Sequence, residues 1–391
     1  MNNAYICPII IHQKGEGLYF GNDVQKTQLM RTFNPVRFAD KETAAFASTL
    51  KQRVDLYFKQ NNLDKDGNFE MYSKTFLMFA IHFVPYAFIV SDFFTGTFWY
   101  YVMWMISGVG LAGIGLAVMH DANHGAYSRN QKLNDIMCLS LNIVGGHALN
   151  WRIQHNVLHH TYTNVHGLDE DISPAKVLRF SPHAPKYKFH RFQHIYATFF
   201  YALMSFNWII VKDFNRLKQY DQMGLLKAQK TTYGKELFYV IITKLFYLSY
   251  ILGIPMLLTD ATVGQVLLGY VLYHIVAGLI LSLVFQPAHV IEHTLYPLPN
   301  ENRIVEKNWF AHQMLTSANY SEQNKLLTWY VGGLNYQIEH HLFPTICHVH
   351  YPKIAPIVKQ TAKEFGLPYH GGLSFSDAIL LHFKMLKKLG Q

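Results

Sequence analysis

Four blocks of apolar residues dominate the chain, at about 75–94, 97–119, 237–258 and 264–286. Each has about the twenty residues needed to cross a hydrocarbon core, and each predicts a membrane-spanning helix. The blocks pair off, because only short connections (91–96 and 259–264) separate the members of each pair. Neither connection contains Lys or Arg, whereas the stretch between the pairs carries them from Arg129 to Lys235. Basic loops stay on the cytoplasmic side, so both hairpin tips are expected outside and the central stretch and termini inside.

Other patterns predict the flanking parts. Residues 1–35 read as an extended, surface-lying arm. Within 40–60, Phe46, Leu50, Val54, Tyr57 and Phe58 recur at helical spacing, predicting an amphipathic helix packed on the protein or on the membrane surface. A fifth apolar stretch, 193–212, is interrupted by Gln193, His194, Ser205 and Asn207. As a fifth span it would part the histidines described below, so it is expected to lie in the membrane plane. The fold class expected is an all-α integral membrane protein: four transmembrane helices in two hairpins, with a cytoplasmic helical cap holding a di-metal site. The expected divisions are an N-terminal arm and helix (1–74), a membrane domain (75–370) and a C-terminal cytoplasmic tail (371–391).

Composition agrees with a membrane class. Half of the 391 residues are apolar and only 15% are charged, against the quarter usual in soluble chains. The net charge of +9 comes without a basic run interleaved with aromatics, so attraction to an anionic leaflet explains it better than nucleic acid does. Cys7, Cys138 and Cys347 are too scattered for a disulfide framework or a thiolate zinc site, and a reducing compartment fits them. The N-terminus shows no basic stretch followed by a long apolar core, so no cleavable signal is expected.

Twenty-two histidines change the picture, because they cluster. His120 and His124 follow the second span directly; His155, His159 and His160 follow next. Gln337 precedes His340 and His341 by one turn, and His289 and His293 lie just beyond the fourth span. Residues four apart on a helix differ by about 40° in direction, so such imidazoles share a face. One such pair is usually a solvated or hydrogen-bonded couple; four groups expected on one membrane face are not. Nine imidazoles, with Gln337 as a tenth donor, exceed the coordination of one first-row ion and imply two. Zinc favours four ligands and often thiolates, whereas iron accepts five or six with open positions and can activate O₂. A metal face against the bilayer points to oxidation of an inert C–H bond in an acyl chain.

These residues carry a resemblance. HDANH at 120–124, HNVLHH at 155–160 and QIEHH at 337–341 resemble, in order and spacing, the three histidine boxes of the membrane fatty-acid desaturases. The likeness extends over roughly 75–370. The strings 159–172 and 337–344 are similar to the front-end and linoleoyl-CoA desaturase branch, in which Gln stands at the first position of the third box. The resemblance implies that His120, His124, His155, His159, His160, His340 and His341 bind two iron ions. His289 matches the further histidine after the fourth span, and His293 is a weaker match. Gln337 is either a ligand or a donor beside one. The implied reaction introduces a cis double bond into an acyl-CoA or acyl-lipid, with O₂ as co-substrate and two external electrons. The chain lacks the HPGG haem motif of members fused to cytochrome b5. Electrons are therefore expected from a separate ferredoxin or cytochrome b5 with its reductase. A bacterial inner membrane, or alternatively the endoplasmic reticulum, would be the setting.

Supporting roles follow with less constraint. Asp121, Asp169, Asp171, Glu292 and Glu339 are candidates to hold the ligand imidazoles, with solvated acid as the plainer alternative. Arg152, Lys186, Lys188 and Arg191 are candidates for a substrate headgroup, or simply for anionic lipid. His82 and His274 lie inside spans and should face the bundle interior. Gly108, Gly110, Gly113 and Gly115 give the second span a small-residue face, for helix packing or for an acyl chain. A hydroxylase on the same scaffold is the nearest rival activity. A metal transporter or zinc-bearing receptor is the distant one, although transport sites lie near the midplane.

Overall fold

The computed structural model describes residues 33–39, 44–174 and 176–391. Most of the arm expected over 1–35, and Cys7 with it, lies outside the described residues. Among the described residues four helices are long and apolar enough to cross a membrane, which fits a multi-pass membrane protein. We name the elements that position the site as follows: α1 (Ala44–Gln60), α2 (Phe69–Val90), α3 (Phe98–Asn123), α4 (148–162), α5 (Lys188–Ala202), α6 (Met204–Gln222), α7 (Tyr233–Leu258), α8 (Val263–His289), α9 (Trp309–Thr316), α10 (Gln337–Leu342), α11 (Tyr351–Glu364) and α12 (Phe375–Gly390). The spans are α2, α3, α7 and α8.

Glycine sets how closely the spans approach. A Cβ on Gly110 would lie 2.4 Å from the His82 backbone nitrogen of α2, and one on Gly108 would lie 2.4 Å from the Tyr273 carbonyl of α8. α3 is therefore clasped between α2 and α8, and the small-residue face predicted for it serves packing at Gly108, Gly110 and Gly113. Gly115, further along, lines a cavity instead. The two histidines inside spans face inward, as expected. His82 Nδ1 lies 3.1 Å from the Ser107 carbonyl oxygen of α3. His274 Nε2 lies 2.8 Å from the Tyr247 hydroxyl of α7, and its Nδ1 lies 3.0 Å from the Ser205 hydroxyl.

Outside the spans, α1 buries Phe46, Leu50, Val54 and Phe58 against Ile354, Val358 and Ala362 of α11. The amphipathic helix read over 40–60 thus packs on the protein. A two-residue parallel pairing of Arg37–Phe38 with Ile304–Val305 ties the N-terminal side to the loop beyond α8. Residues 371–391, read as a tail, hold α12, whose buried His382 donates from Nδ1 to the Val290 carbonyl at 2.9 Å.

One expectation is corrected. The stretch 193–212 is no single in-plane helix. α5 and α6 meet at a 60° bend, and the bend touches α8 near its middle. There a Cβ on Gly278 would lie 2.6 Å from the Tyr201 carbonyl, and the Ser205 hydroxyl donates to the His274 carbonyl at 3.0 Å. Of the four polar residues that interrupt the stretch, Gln193 and Ser205 are buried partners of neighbouring helices. The ends of α3 and α8 meet in one histidine cluster.

Candidate metal centre

The cluster forms where α3, α4, α8 and α10 converge. α3 passes through a wide π-type turn at Ile114–Met119 and delivers His120 and His124 with rings 4.9 Å apart. A second π turn, Ile153–His159, lies within α4 and directs His155 and His159 toward different neighbours. α8 ends on His289, and α10 brings Gln337, His340 and His341. Eight histidines and Gln337 converge here. All are buried except His124, which is partly so.

The outer nitrogens of three rings, those of His159, His289 and His341, are fixed by acceptors. His159 donates from Nδ1 to Asp169, 3.1 Å from each oxygen, and His289 donates from Nδ1 to the Thr316 carbonyl at 3.0 Å. His341 donates from Nδ1 to Gln313 Oε1 at 2.9 Å, and His340 Nδ1 lies 3.2 Å from the Tyr351 hydroxyl. Gln313 must present its oxygen, because its amide nitrogen donates to the His160 carbonyl and Thr163 donates to Oε1. With Nδ1 committed as donor in His159, His289 and His341, each of their Nε2 atoms carries a lone pair.

Two of those lone pairs point at each other: the Nε2 atoms of His289 and His341 are 3.2 Å apart. The Nε2 atoms of His160 and His340 are 2.9 Å apart, and His155 Nε2 lies 3.1 Å from both His120 Nε2 and His160 Nε2. The His289–His341 contact repels unless a cation lies between the two nitrogens. Imidazole nitrogens sharing an ion at about 2.1 Å are about 3 Å apart when cis, so the donor set fits bound metal. The donors form two groups, His120, His124, His155 and His340, and His159, His289 and His341, with His160 between them. Gln337 Oε1 lies 3.3 Å from His289 Nε2, and its amide nitrogen has no partner.

Electrostatics keeps the rings ready for metal. Burial, then the neighbouring imidazoles, pushes His160, His340 and His341 well below the ordinary histidine range, and His155 down to about 3. They are therefore neutral, as ligands must be. His159 differs: burial lowers it, but the Asp169 and Asp171 carboxylates outweigh that and raise it. Replacing Asp169 by Asn removes that charge and turns an amide toward the backbone N–H groups of Asn164 and Asp171 that the carboxylate accepts. We expect metal affinity to fall about 10–100-fold, checked by metal retained during titration with a chelator.

Several assigned residues stand elsewhere. His293 is exposed and stacks on His370, with ring centroids 6.0 Å apart. The helix ends at His289 and Val290 leaves helical geometry, so the four-residue spacing no longer keeps a common face. Glu292 is also exposed and pairs with Lys388 at 3.3 Å. Glu339 is buried, but it accepts from Asn319 at 2.7 Å and Tyr369 at 3.0 Å rather than from a ligand ring; burial pushes it up to about 8. Asp121 lies 3.8 Å from His120 Nδ1 and accepts from His348 Nδ1 at 2.7 Å, and Asp171 lies 3.5 Å from His159 Nδ1. Gln313, Thr316, Tyr351 and His348 escaped the sequence reading, since none has a spacing relation to a ligand.

A cavity of about 810 Å³ opens beside the cluster and reaches from His120, His155 and His289 to Ser205 and His274. Over the fifteen residues from His289 back to His274, α8 lines about 22 Å of it. None of the headgroup candidates lines this cavity. Arg152 turns to Asn123 and Cys138, Lys186 to the carbonyl of Gln391, and Arg191 to the Phe192 ring; Lys188 is exposed.

Residues 56–372 match the family model described as fatty acid desaturase. This chain belongs to the fatty acid desaturase family. The desaturase is 33% identical to the sn-1 linoleoyl-lipid 6-desaturase of Synechocystis sp. over 371 residues, 93% of this chain and 99% of that one. It is 35% identical to the acyl-lipid (8-3)-desaturase of Physcomitrium patens, covering 91% of this chain and 74% of that protein. It is 32% identical to a protein of the same name from Mortierella alpina, covering 89% and 78%. The desaturase is thus an oxidoreductase of front-end type, as its histidine strings had suggested.

Proposed function

We propose that this desaturase introduces a cis double bond near the carbonyl end of a membrane-lipid acyl chain, using two iron ions. His120, His124, His155 and His340 would hold one ion and His159, His289 and His341, with Gln337, the other; His160 stands between them. The observation that carries this reading is the pair of committed imidazoles, His289 and His341, whose Nε2 lone pairs face each other 3.2 Å apart beside the cavity. When bound, the irons supply O₂-derived oxidising power for removing two hydrogens from adjacent methylenes. Two external electrons and two protons complete the reduction of O₂ to water. The protein contributes placement and dryness. Trp151 stacks on His155 with ring centroids 4.3 Å apart, and Phe285 lies over His120 and His155, leaving an apolar wall where the reacting methylenes would lie.

Basic residues between the hairpins, and their absence from the tips, support a cytoplasmic metal face in a bacterial inner membrane or the endoplasmic reticulum. A separate ferredoxin or cytochrome b5 would deliver the electrons there. The names of the relatives favour a lipid-linked substrate. Expression in a host with simple lipids, followed by mass-spectrometric location of double bonds, tests the reading. A new double bond near the carbonyl end is expected. An oxygenated chain without one would indicate a hydroxylase, and unchanged lipids over a zinc-loaded, iron-free protein would sink the proposal.

A further inference from the structure

Two cations line the cavity among the described residues, and only one is committed. Arg216 donates from Nη1 to Glu170 Oε1 at 2.8 Å and to Gln219 Oε1 at 2.7 Å. Lys212 has neither an ion pair nor a hydrogen bond among the described residues; its ammonium lies over the Trp208 ring, 4.9 Å from the centroid. The acids nearby are already engaged. Glu170 also accepts from Tyr220 and Gln219, while Asp171 accepts from Gln154 and faces His155 and His159. An ammonium in a confined, largely apolar cavity without an acceptor is costly, and a ring face offsets only part of that. The missing acceptor would arrive with the ligand.

Building on the desaturase reading, we propose that Lys212 binds the acyl carbonyl oxygen and so sets the distance from the carbonyl to the metal centre. A phosphate would demand more positive charge than one ammonium and would meet the Glu170 and Asp171 carboxylates. A neutral carbonyl needs one donor. Lys212 lines the same cavity as Asp171 and His155, and the Asp171 Oδ2 is 3.5 Å from His159 Nδ1. The polar end of the substrate is thus held close to the metals. The rest of the chain passes Gly115 and Leu281 toward His274. A fixed anchor is needed, since one methylene in an apolar pocket discriminates by only about 1–3 kcal/mol.

The test first reads binding, without turnover, on the purified full-length metal-loaded chain. A long-chain fatty methyl ester is compared with the alkyl ether of equal length, which lacks the carbonyl oxygen. The wild type should favour the ester by about 10-fold or more, as for a charge-assisted hydrogen bond. Lys212→Met should lose this preference at unchanged metal content, and Lys212→Arg should keep much of it. Equal binding of ester and ether by the wild type, or a preference surviving in Lys212→Met, overturns the proposal. Lipid-ester and CoA-thioester ligands distinguish the two sources of the carbonyl, with the tighter, Lys212-dependent ligand naming the substrate. In expressing cells Lys212→Met should spread double bonds over neighbouring positions; a single unchanged position counts against the anchor. Should wild-type cells gain no double bond while ester preference persists, the carbonyl site stands and the desaturase reading fails.

Discussion

Replacing His341 by Ala is expected to lower desaturation more than about 100-fold and to leave at most one of two metal ions bound. Removing a residue that merely orients a ligand costs about 10–100-fold in affinity, and His341 sits closer to the chemistry than that. Its Nε2 faces that of His289, and its ring stacks on His160 with centroids 4.3 Å apart. The substitution opens a void in a polar cluster outside the spans, so membrane insertion and expression should persist. Metal content per chain and lipid profile are the measurements. Two retained ions together with normal unsaturation would remove His341 from the ligand set.

The largest stability effect is expected at Asp213. Its Oδ2 lies 2.8 Å from Lys244 Nζ, and both side chains are almost fully buried. Asp213 Oδ1 accepts from Trp208 Nε1 at 3.1 Å, and its backbone carbonyl accepts from Asn150 at 2.8 Å. One residue thus joins α6, the span α7 and the helix that carries His155 to His160. Asp213→Ala leaves an unpaired ammonium inside the protein, which costs about 3–5 kcal/mol. Thermal unfolding in detergent should show the loss. Pairing it with Lys244→Met should restore most of the stability, since removing both charges also removes the desolvation penalty. A single mutant as stable as the wild type would show that water reaches Lys244.

How much of this was legible in the sequence follows from the range of each interaction. His120 with His124 and His155 with His159 were readable because a helical period relates neighbours four apart, and the π turn before His120 and the one that holds His155 and His159 leave all four in one cluster. The same rule failed for His293, because the helix stops at His289. α1 could be read as a packed amphipathic helix from its own residues, but not that α11 is its partner. Polar residues in 193–212 were visible, while the burial of Gln193 against α12 and of Ser205 against α8 was not, because burial depends on what arrives from elsewhere.

The sequence by itself determined the four apolar spans, the three histidine boxes and the family, since hydrophobic length and short-range spacing are properties of contiguous residues. Tertiary structure decided which acceptors fix the ligand rings: Gln313, Thr316 and Asp169 reach them from separate segments. It also decided which cation faces the cavity. Arg152, Lys186, Lys188 and Arg191 looked as basic as Lys212 along the chain. The bend between α5 and α6, with the commitment of Arg216 to Glu170, leaves Lys212 facing that space without an acceptor among the described residues.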